Sequence, residues 1–453
     1  MIMEELKQYL DLYRNHRDLI CGGSAAPLNA LRERALEVLE RKGLPKKGSE
    51  DFENIDFAKI ISPDFGLNLD RLNIDVNPAV TFRCDVPVLS SEPFLNVNDT
   101  FAVAETGRRL DLPDGVEVGS LRKWALENPE EVSRYYGRLA DIENPLVALD
   151  TLFAQDGMYL RVNRGVRIKQ PLQLVNILSN GMPLMAVRRL LVIVGEDAEV
   201  QLIACDHTQI DDIQFLSLQT IEMFAGRNSR LGYYDLEEST AKTSRLSTLW
   251  LRQEEGSDVT INSMTLYNGT TRNEFYCRFA GEHASLRLSG MGIEDEDRTL
   301  STYSRISHDS PRCHSNELFK YTVDDRSTAA FSGKIYVAEG SVQTEAYQAN
   351  RNLVSGNEAR IYTKPVLEIY NDDVKCSHGA AIGQLDEMQL FYMRTRGLSE
   401  ETARLMLRQA FMADVIDAIA VPALRDRLHI LVERRYAGAS SACASCRNCD
   451  NLK

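Results

Sequence analysis

A six-residue template recurs through the middle of the chain and constrains its fold more than any other feature of the sequence. The template reads Gly-x-x-small-x-apolar, with copies that start at residues 195, 226, 256, 281 and 356 and a degenerate copy at 324. Turn-and-strand units of this length cannot bury an apolar face alone, but they can when they stack coil on coil. The repeat therefore predicts a β-solenoid, which the spacing favours only slightly over an ordinary β-sandwich or barrel.

A repeated apolar position accompanies the template. It stands five residues beyond the last template position and is apolar in five of the six copies. The residues at this position are Cys205, Leu236, Leu266, Met291, Lys334 and Val366. Such a row supports a stacked fold, although chance also produces rows of this kind.

Helical patterns precede the repeat region. Residues 4–44 read as helical, and they end at Gly43 and Pro45 because glycine suits a helix C-cap and proline cannot continue a helix. Further helical stretches are predicted near residues 121–128 and 130–142.

Two amphipathic helices are predicted near the C-terminus. Ser399 is a good N-cap for the first helix, and Pro422 suits the first turn of the second. Their apolar stripes contain Leu407, Phe411, Val415, Leu424, Leu428 and Leu431. Such helices could cap the last coil of a solenoid or dock a partner, and the composition leaves these two interpretations equal.

These patterns divide the chain into four parts. A chain of 453 residues is too long for one compact core. Short β-prone runs without an amphipathic helix extend from about residue 146 to 382. The predicted parts are a helical region and connector at 1–145, a solenoid core at 146–385, a helical region at 386–437 and a flexible tail at 438–453.

Composition and charge exclude several classes of function. The net charge of −14 argues against general binding to nucleic acid or anionic membranes, which needs clustered Lys and Arg. No apolar run reaches the roughly 18 residues that span a bilayer, and the acidic start does not resemble a signal peptide. Nine cysteines are present, an odd number, and six of them lie far apart, which is typical of reduced thiols rather than a disulfide framework. We therefore expect a cytoplasmic protein, and the absence of a P-loop predicts no nucleotide hydrolysis of its own.

The segment from Asp372 to Gly379 carries the clearest candidate chemistry. If this segment is a strand, Cys376 and His378 project from the same face, about 6–7 Å apart along the chain. A thiolate and a neutral imidazole are good ligands for iron or zinc. A closed site takes four ligands, so the others would come from a second chain or from a cluster's own sulfides. For these two residues alone, a buried cysteine beside a structural histidine is the simpler interpretation.

The tail carries a second candidate site. Cys443, Cys446 and Cys449 have a spacing that iron–sulfur proteins use for cluster ligands, and they follow a small-residue linker. A fourth ligand is missing from the tail. An exposed, redox-sensitive or incidental tail is therefore the alternative.

Two further groups are weaker candidates. Cys313 and His314, with His308 nearby, resemble the first pair in composition, but Pro311 and Ser310 suggest a loop with a structural role. The acidic run Glu294, Asp295, Glu296 and Asp297 could serve a polysaccharide lyase or hydrolase built on a β-helix. Four consecutive acidic residues are more typical of a solvated loop.

Several short sequences follow one another in a fixed order between His308 and Val415. They are FSGKI from residue 331, QANRNL from 348, PVLEI from 365, DVKCSHGA from 373, QLFY from 389 and RGLS from 396. Their order and spacing resemble the SufB/SufD family of iron–sulfur cluster assembly proteins, and the Lys-Cys-Ser-His-Gly form resembles the SufD branch more closely. A looser similarity extends over residues 43–50 and 153–174.

The resemblance implies a mainly β protein, with a right-handed parallel β-helix core flanked by N-terminal and C-terminal α-helical regions. It implies a non-catalytic scaffold subunit that pairs with SufB through the β-helix. It also implies that the ATPase SufC docks on the C-terminal helices, so that ATP acts only through SufC. His378, with Cys376 beside it, would lie at the SufB interface, where a transient iron–sulfur cluster forms.

The resemblance leaves some features open. The family is associated with iron entry and with reduced flavin (FAD), but no residue here is assigned to the flavin. The isolated chain could also form a homodimer. A SufB-like subunit that accepts sulfur on Cys376 or Cys313 is the alternative within the family.

Overall fold

The computed structural model describes residues 4–52, 54–72, 93–102 and 112–438. Its helices are α1 (Glu4–Gly22), α2 (Ala26–Asn29), α3 (Arg32–Lys42), α4 (Phe57–Ile61), α5 (Leu121–Glu127), α6 (Pro129–Val132), α7 (Pro145–Phe153), α8 (Glu387–Thr395), α9 (Glu400–Asp417) and α10 (Pro422–Tyr436). Its strands are β1 (Phe94–Val97), β2 (Thr100–Ala102), β3 (Val116–Ser120), β4 (Gly157–Val162), β5 (Leu172–Leu178), β6 (Leu184–Val194), β7 (Glu199–Thr208), β8 (Phe215–Ala225), β9 (Arg230–Glu238), β10 (Thr243–Gln253), β11 (Asp258–Tyr267), β12 (Thr270–Phe279), β13 (Ser285–Glu294), β14 (Thr299–His308), β15 (His314–Val323), β16 (Thr328–Val337), β17 (Thr344–Val354), β18 (Arg360–Ile369) and β19 (Val374–Gly383).

The strands from β4 onward form a parallel solenoid. The even-numbered strands β4 to β18 make one sheet, here called the even sheet, and the odd-numbered strands β5 to β19 make the odd sheet. The chain alternates between the sheets, and each strand pairs in parallel with the strand two positions along. Each sheet holds eight such strands within the described ranges, so the solenoid has about eight coils. The predicted fold class, a mainly β chain with a parallel solenoid between helical ends, is confirmed.

A residue with positive φ turns the chain at six of the corners that lead from the even to the odd sheet. These residues are spaced by 27 to 31 positions and are Asp197, Asn228, Gly256, His283, Arg312 and Gln343. Gly, Asn and Asp tolerate this conformation best, and they occupy three of these six corners. The first glycine of the template is required for a different reason at residues 195, 226 and 281, where a Cβ would lie 2.7, 2.7 and 2.1 Å from backbone atoms. The template copies at 324 and 356 lie on the opposite corners, from the odd to the even sheet. That change of corner explains the 43-residue interval between the copies at 281 and 324.

Alternate residues of each strand point into the lumen and form the main core. One half of the lumen is apolar, with side chains such as Phe279, Leu288 and Phe319. The other half contains buried ion pairs, for example Arg245 with Asp235 at 2.6 Å. Buried charges persist in a core when they are paired in this way.

The helical regions cover the outer faces of the two sheets. Helices α1, α3, α4 and α7 share a core with residues of β6, β8 and β10 on the even sheet. Leu6, Leu10 and Tyr13 on α1 are buried there, as their spacing predicts. Helices α9 and α10, here called the C-terminal helix pair, pack on the odd sheet. No helix in the described part of the chain is long and apolar enough to cross a membrane.

Two helical predictions were wrong. Helix α7 lies in the segment that showed no amphipathic helix, because its residues from Leu146 to Phe153 are buried on all sides. A helix buried all round has no polar face, and its sequence therefore lacks the amphipathic period. The helix predicted over 130–142 ends at Val132, and Gly137 has a φ of 66° that a helix does not allow.

Candidate functional site

The two ends of the solenoid differ in how they are closed. At the N-terminal end, β2 and β3 run antiparallel to β1 and β4 and finish the two sheets. At the other end lie β18 and β19, here called the terminal coil. Among the described residues, these two strands pair only with β16 and β17 of the preceding coil. Their outer edges present unpaired backbone N–H and C=O groups, which form a template for further strands.

Large apolar side chains are exposed on and beside the terminal coil. Tyr362, Ile369, Tyr370 and Ile382 have exposed fractions of 47%, 38%, 62% and 52%. Val337, which is in register with Ile369 on the preceding coil, is fully buried. The lumen is therefore open at this end, and stacked repeats need a cap or a partner where their last unit would expose its core.

Strand β19 places Cys376 and His378 on the lumen side of this opening. They are in register with Ala346 and Gln348 of the preceding coil, and both of those residues are buried. Cys376 is half-buried against a small apolar cluster, whereas His378 is exposed. The strand geometry expected from the sequence is confirmed, and the two side chains share one face about 6–7 Å apart along the chain.

The environment of Cys376 keeps its thiol protonated in the isolated chain. Burial raises the pKa of the thiol above its ordinary value, and a hydrogen bond with the backbone of Ala346 partly offsets this rise. Metal binding requires the thiolate, so a metal that binds here must release the proton. Cys376 and His378 together provide one sulfur and one nitrogen ligand, which is half of a tetrahedral site.

A complete metal site is absent from the part of the chain that the structure describes. No group of three or more His, Cys, Asp or Glu side chains in those ranges is arranged to hold a metal ion. The predicted tail ligands Cys443, Cys446 and Cys449 lie outside the described residues, so the tail site stays a prediction.

Two buried polar side chains continue the row of His378 into the lumen, and the sequence analysis gave them no role. Glu317, Gln348 and His378 occupy the same position on three successive strands of the odd sheet. Gln348 Nε2 donates a hydrogen bond of 2.5 Å to Glu317 Oε2. Burial raises the pKa of Glu317 to about 7, although the hydrogen bond from Gln348 acts in the opposite direction. Their spacings of 31 and 30 residues match the length of a coil, and this is the sequence signal that could have found them.

The residues predicted to dock a partner lie mostly on the side of the C-terminal helix pair that faces the odd sheet. Four of them are fully buried against the odd sheet, namely Val415, Leu424, Leu428 and Leu431. Leu407 and Phe411 are half-buried. The opposing surface of the odd sheet contains four of the repeated apolar positions, Cys205, Leu236, Leu266 and Met291. These four residues, with Phe411 packed against the same cluster, therefore hold the helices in place, and a partner would contact the outer faces of the helices.

The acidic run at the end of β13 is engaged in ion pairs from Asp295 onward. Asp295 contacts Arg435 at 2.5 Å and Asp297 contacts Arg326 at 2.8 Å. Glu294 is buried in the lumen, and burial raises its pKa to about 8. Glu294 and Asp295 line a pocket of only about 100 Å³, and Asp295 and Asp297 are paired with arginines. These observations count against the polysaccharide-active alternative.

The residues around Cys313 have a structural role. His308 is buried, burial lowers its pKa to about 3, and its Nε2 lies 2.9 Å from Ser315 Oγ. The Cys313 thiol is buried and donates to the carbonyl of Gly281 at 3.3 Å. These contacts support the structural interpretation for Cys313 and His308.

The fold and the opening define a β-solenoid protein with helical ends and a paired thiol and imidazole at its terminal coil. Two family models match most of this chain. The SufBD protein N-terminal region matches residues 3–174, and the model for the SUF system FeS cluster assembly, SufBD core domain, matches residues 177–411. The chain therefore belongs to the SufBD family of iron–sulfur cluster assembly proteins.

Curated relatives carry names from the same family. An iron–sulfur cluster assembly SufBD family protein of Synechocystis is 28% identical over 425 residues, which cover 92% of this chain and 93% of the relative. The iron–sulfur cluster assembly protein SufD of Escherichia coli is 29% identical over 292 residues, covering 63% and 68%. The protein of the same name from Bacillus subtilis is 22% identical over 421 residues, covering 90% and 94%.

Proposed function

We propose that this chain is a SufD-type scaffold subunit of a cytoplasmic complex that assembles iron–sulfur clusters, with no catalytic turnover of its own. The observation that carries the proposal is the open terminal coil, where Cys376 and His378 share one face beside two unpaired strand edges. In this proposal SufB supplies both the next coil and the remaining ligands. The cluster is the product of the complex rather than a resident cofactor.

Pairing with SufB would complete the solenoid. Strands added to β18 and β19 would satisfy their free N–H and C=O groups and extend both sheets. Ile369 and Ile382 would then enter a continuous lumen, as Val337 does one coil earlier. When SufB is absent, a second copy of the chain would use the same edges to form a homodimer.

Copurification with SufB tests this pairing. Ile382→Glu should abolish it, because the interface would bury a carboxylate without a partner, at a cost of several kcal/mol. Leu126→Glu on α5 is a matched control, since Leu126 is exposed to a similar extent, 55%, but lies far along the chain from the terminal coil. Undiminished copurification of the Ile382 variant would contradict pairing through this face.

His378 would act at the interface as a ligand or a proton acceptor for the nascent cluster, with Cys376 as the neighbouring ligand. His378→Ala should abolish cluster assembly in cells that depend on this chain, while SufB and SufC still copurify with it. Ser377→Ala is the matched control, because alternate residues of a strand point to opposite faces. A His378→Ala chain that supports full assembly would refute this role.

SufC would dock on the outer faces of the C-terminal helix pair. Met406 and Ile430 are both 44% exposed there. Helix α8 follows β19 after three residues and precedes α9, so it connects the terminal coil to the helix pair. In this proposal, movement of the helix pair during ATP hydrolysis by SufC opens the interface with SufB. Replacing Met406 and Ile430 together by Glu should reduce copurification of SufC and leave that of SufB unchanged.

We do not assign the flavin to residues of this chain. A cleft of about 470 Å³ lies between residues 138–141 and the even sheet. Its Trp250 and Tyr276 rings stack on each other with centroids 3.9 Å apart, and its Arg278 pairs with Asp309 at 2.5 Å. This stack and this ion pair are contacts within the chain, and they assign no residue to the flavin. Reduced flavin stays a prediction about the complex.

A further inference from the structure

An unused hydrogen-bond acceptor lies one coil below His378. Gln348 Oε1 is buried and has no hydrogen-bond partner among the described residues. The great majority of buried polar atoms in proteins are paired, and leaving one unpaired costs about 1–3 kcal/mol. This acceptor lies directly below an open surface and is therefore available to a donor from that surface.

The carboxylate of Glu317 determines which end of the Gln348 amide remains without a hydrogen-bond partner. An ionised carboxylate can only accept hydrogen bonds, so the amide NH₂ must face Glu317. The 2.5 Å contact between Gln348 Nε2 and Glu317 Oε2 has this orientation. The amide oxygen is consequently the atom that remains available to a donor outside the pair.

The opposite wall of the lumen is shaped around the same amide. A Cβ placed on Gly333 would lie 2.4 Å from Gln348 Nε2 and 2.6 Å from the Phe331 ring. Any side chain larger than hydrogen at position 333 would therefore displace the amide or the ring. The amide is held both by the hydrogen bond to Glu317 and by the close backbone of β16.

The donor that the terminal coil offers at this position is the imidazole of His378. Gln348 and His378 are direct neighbours in the parallel register of β17 and β19. Paired strands lie about 4.8 Å apart, so side chains on the same face of adjacent strands are within reach of each other. A neutral imidazole carries one N–H and one free nitrogen, and a bond from the N–H leaves the other nitrogen free as a ligand.

We propose that Gln348, oriented by Glu317, is a positioning residue that accepts the N–H of His378 and thereby selects the tautomer and ring orientation of His378. This inference rests on the proposed role of His378 at the cluster interface. Histidines that bind metals commonly donate their second nitrogen to a carboxylate or carbonyl oxygen in this way. Gln348 Oε1 makes no hydrogen bond in the structure, so a turn of the exposed His378 side chain would complete the row Glu317, Gln348 and His378 within the chain, before SufB binds.

The tautomer of His378 can be measured without any cluster. The chain has seven histidines, so ¹⁵N-histidine labelling gives few signals, and His378→Asn identifies those of His378. At pH 8, where Glu317 is ionised, the wild-type ring should show one dominant tautomer. Replacing Glu317 and Gln348 together by Leu should shift the two ring nitrogens toward the values of a free imidazole. The double change keeps the fold, because it leaves neither member of the pair buried and unpaired.

Exchanging the two residues gives a rescue. Glu317→Gln combined with Gln348→Glu restores an amide–carboxylate pair and places a carboxylate oxygen below His378, so the dominant tautomer should return. An unchanged tautomer ratio in the folded double Leu variant would overturn the inference. Assembly assays separate the two proposals: a Gln348-dependent tautomer together with full assembly by His378→Ala would refute the cluster role alone.

Discussion

One buried arginine attaches the last helix to the solenoid, and its removal should loosen the C-terminal helix pair. Arg435 on α10 makes two hydrogen bonds to Asp295, of 2.5 and 2.6 Å. It also donates to the carbonyls of Leu266 and Ile293 at 2.7 and 3.2 Å. The guanidinium lies over the ring of Tyr267, 4.7 Å from its centroid. We predict that Arg435→Met breaks this attachment while it preserves most of the side-chain volume.

The magnitude follows from what the substitution leaves behind. Removing one partner of a buried ion pair costs about 3–5 kcal/mol. Asp295 keeps its contact with Arg298, and methionine retains the aliphatic packing, so the lower end of that range applies. A loss of about 3 kcal/mol corresponds to roughly a hundredfold change in a local equilibrium constant.

Amide hydrogen exchange is the appropriate assay. A chain with a solenoid and separate helical regions need not unfold in two states. The midpoint of a global unfolding transition would therefore not report the stability of one helix. Exchange in residues 422–436 should accelerate by roughly a hundredfold in Arg435→Met, with little change in the strands. Arg434→Met is the matched control, because Arg434 is the adjacent residue, carries the same charge and is exposed.

The pH dependence gives an independent check. Burial tends to raise the pKa of Asp295, but the hydrogen bonds and charge of Arg435 outweigh it and hold this pKa below its ordinary value. A depressed pKa means that the stabilisation is complete above the unfolded pKa of about 4 and is lost as the pH falls through the folded value. Wild-type α10 should therefore loosen only in acid, whereas Arg435→Met is loose at pH 7. Equal exchange of α10 in the two proteins at pH 7 would refute the attachment.

Three further predictions concern other parts of the chain. Hydrogen bonds from Lys42 and Arg41 lower the pKa of Glu143 to about 2, so α3 should lose support as the pH falls from about 4.5 to 2. Glu143→Gln should remove that dependence, and protection of α3 against exchange that decreases equally in both proteins would contradict it. Because burial raises its pKa, Cys376 in the isolated chain should react with iodoacetamide several-fold more slowly than a free thiol at pH 8. Alkylation faster than that of a free thiol would show that the pKa of Cys376 is lowered and would contradict the prediction. Removal of residues 439–453 should preserve copurification with SufB but lower the amount of iron bound under anaerobic conditions, measured by Mössbauer spectroscopy. An equal amount of iron in the two proteins would exclude the tail as a ligand.

Features that depend on neighbours along the chain were predictable from the sequence. Ser399 accepts a hydrogen bond from the Thr402 N–H at the start of α9, and Pro422 occupies the first turn of α10. Residues such as Asp197 and Asn228 take positive φ at the corners of the solenoid. Each of these features follows from the conformational preference of one residue or from a hydrogen bond that spans a single turn.

The partners of an apolar stripe were not predictable in the same way. The stripe of Leu424, Leu428 and Leu431 was visible in the sequence, but its period does not say what covers it. In the structure the odd sheet covers it, so the residues assigned to docking belong to the core. Helix α7 was missed for the related reason that burial on every side removes the polar face on which its detection depends.

The sequence by itself determined the corners, the helix caps and the two-residue spacing that puts Cys376 and His378 on one face. Only the tertiary structure decided that this face belongs to an open terminal coil and that Gln348 and Glu317 lie below it. These residues are about 30 positions apart along the chain, and the pairing register of neighbouring coils brings them together. A shift of one residue in that register would turn every side chain of β19 to the opposite face, so the site exists only in the assembled solenoid.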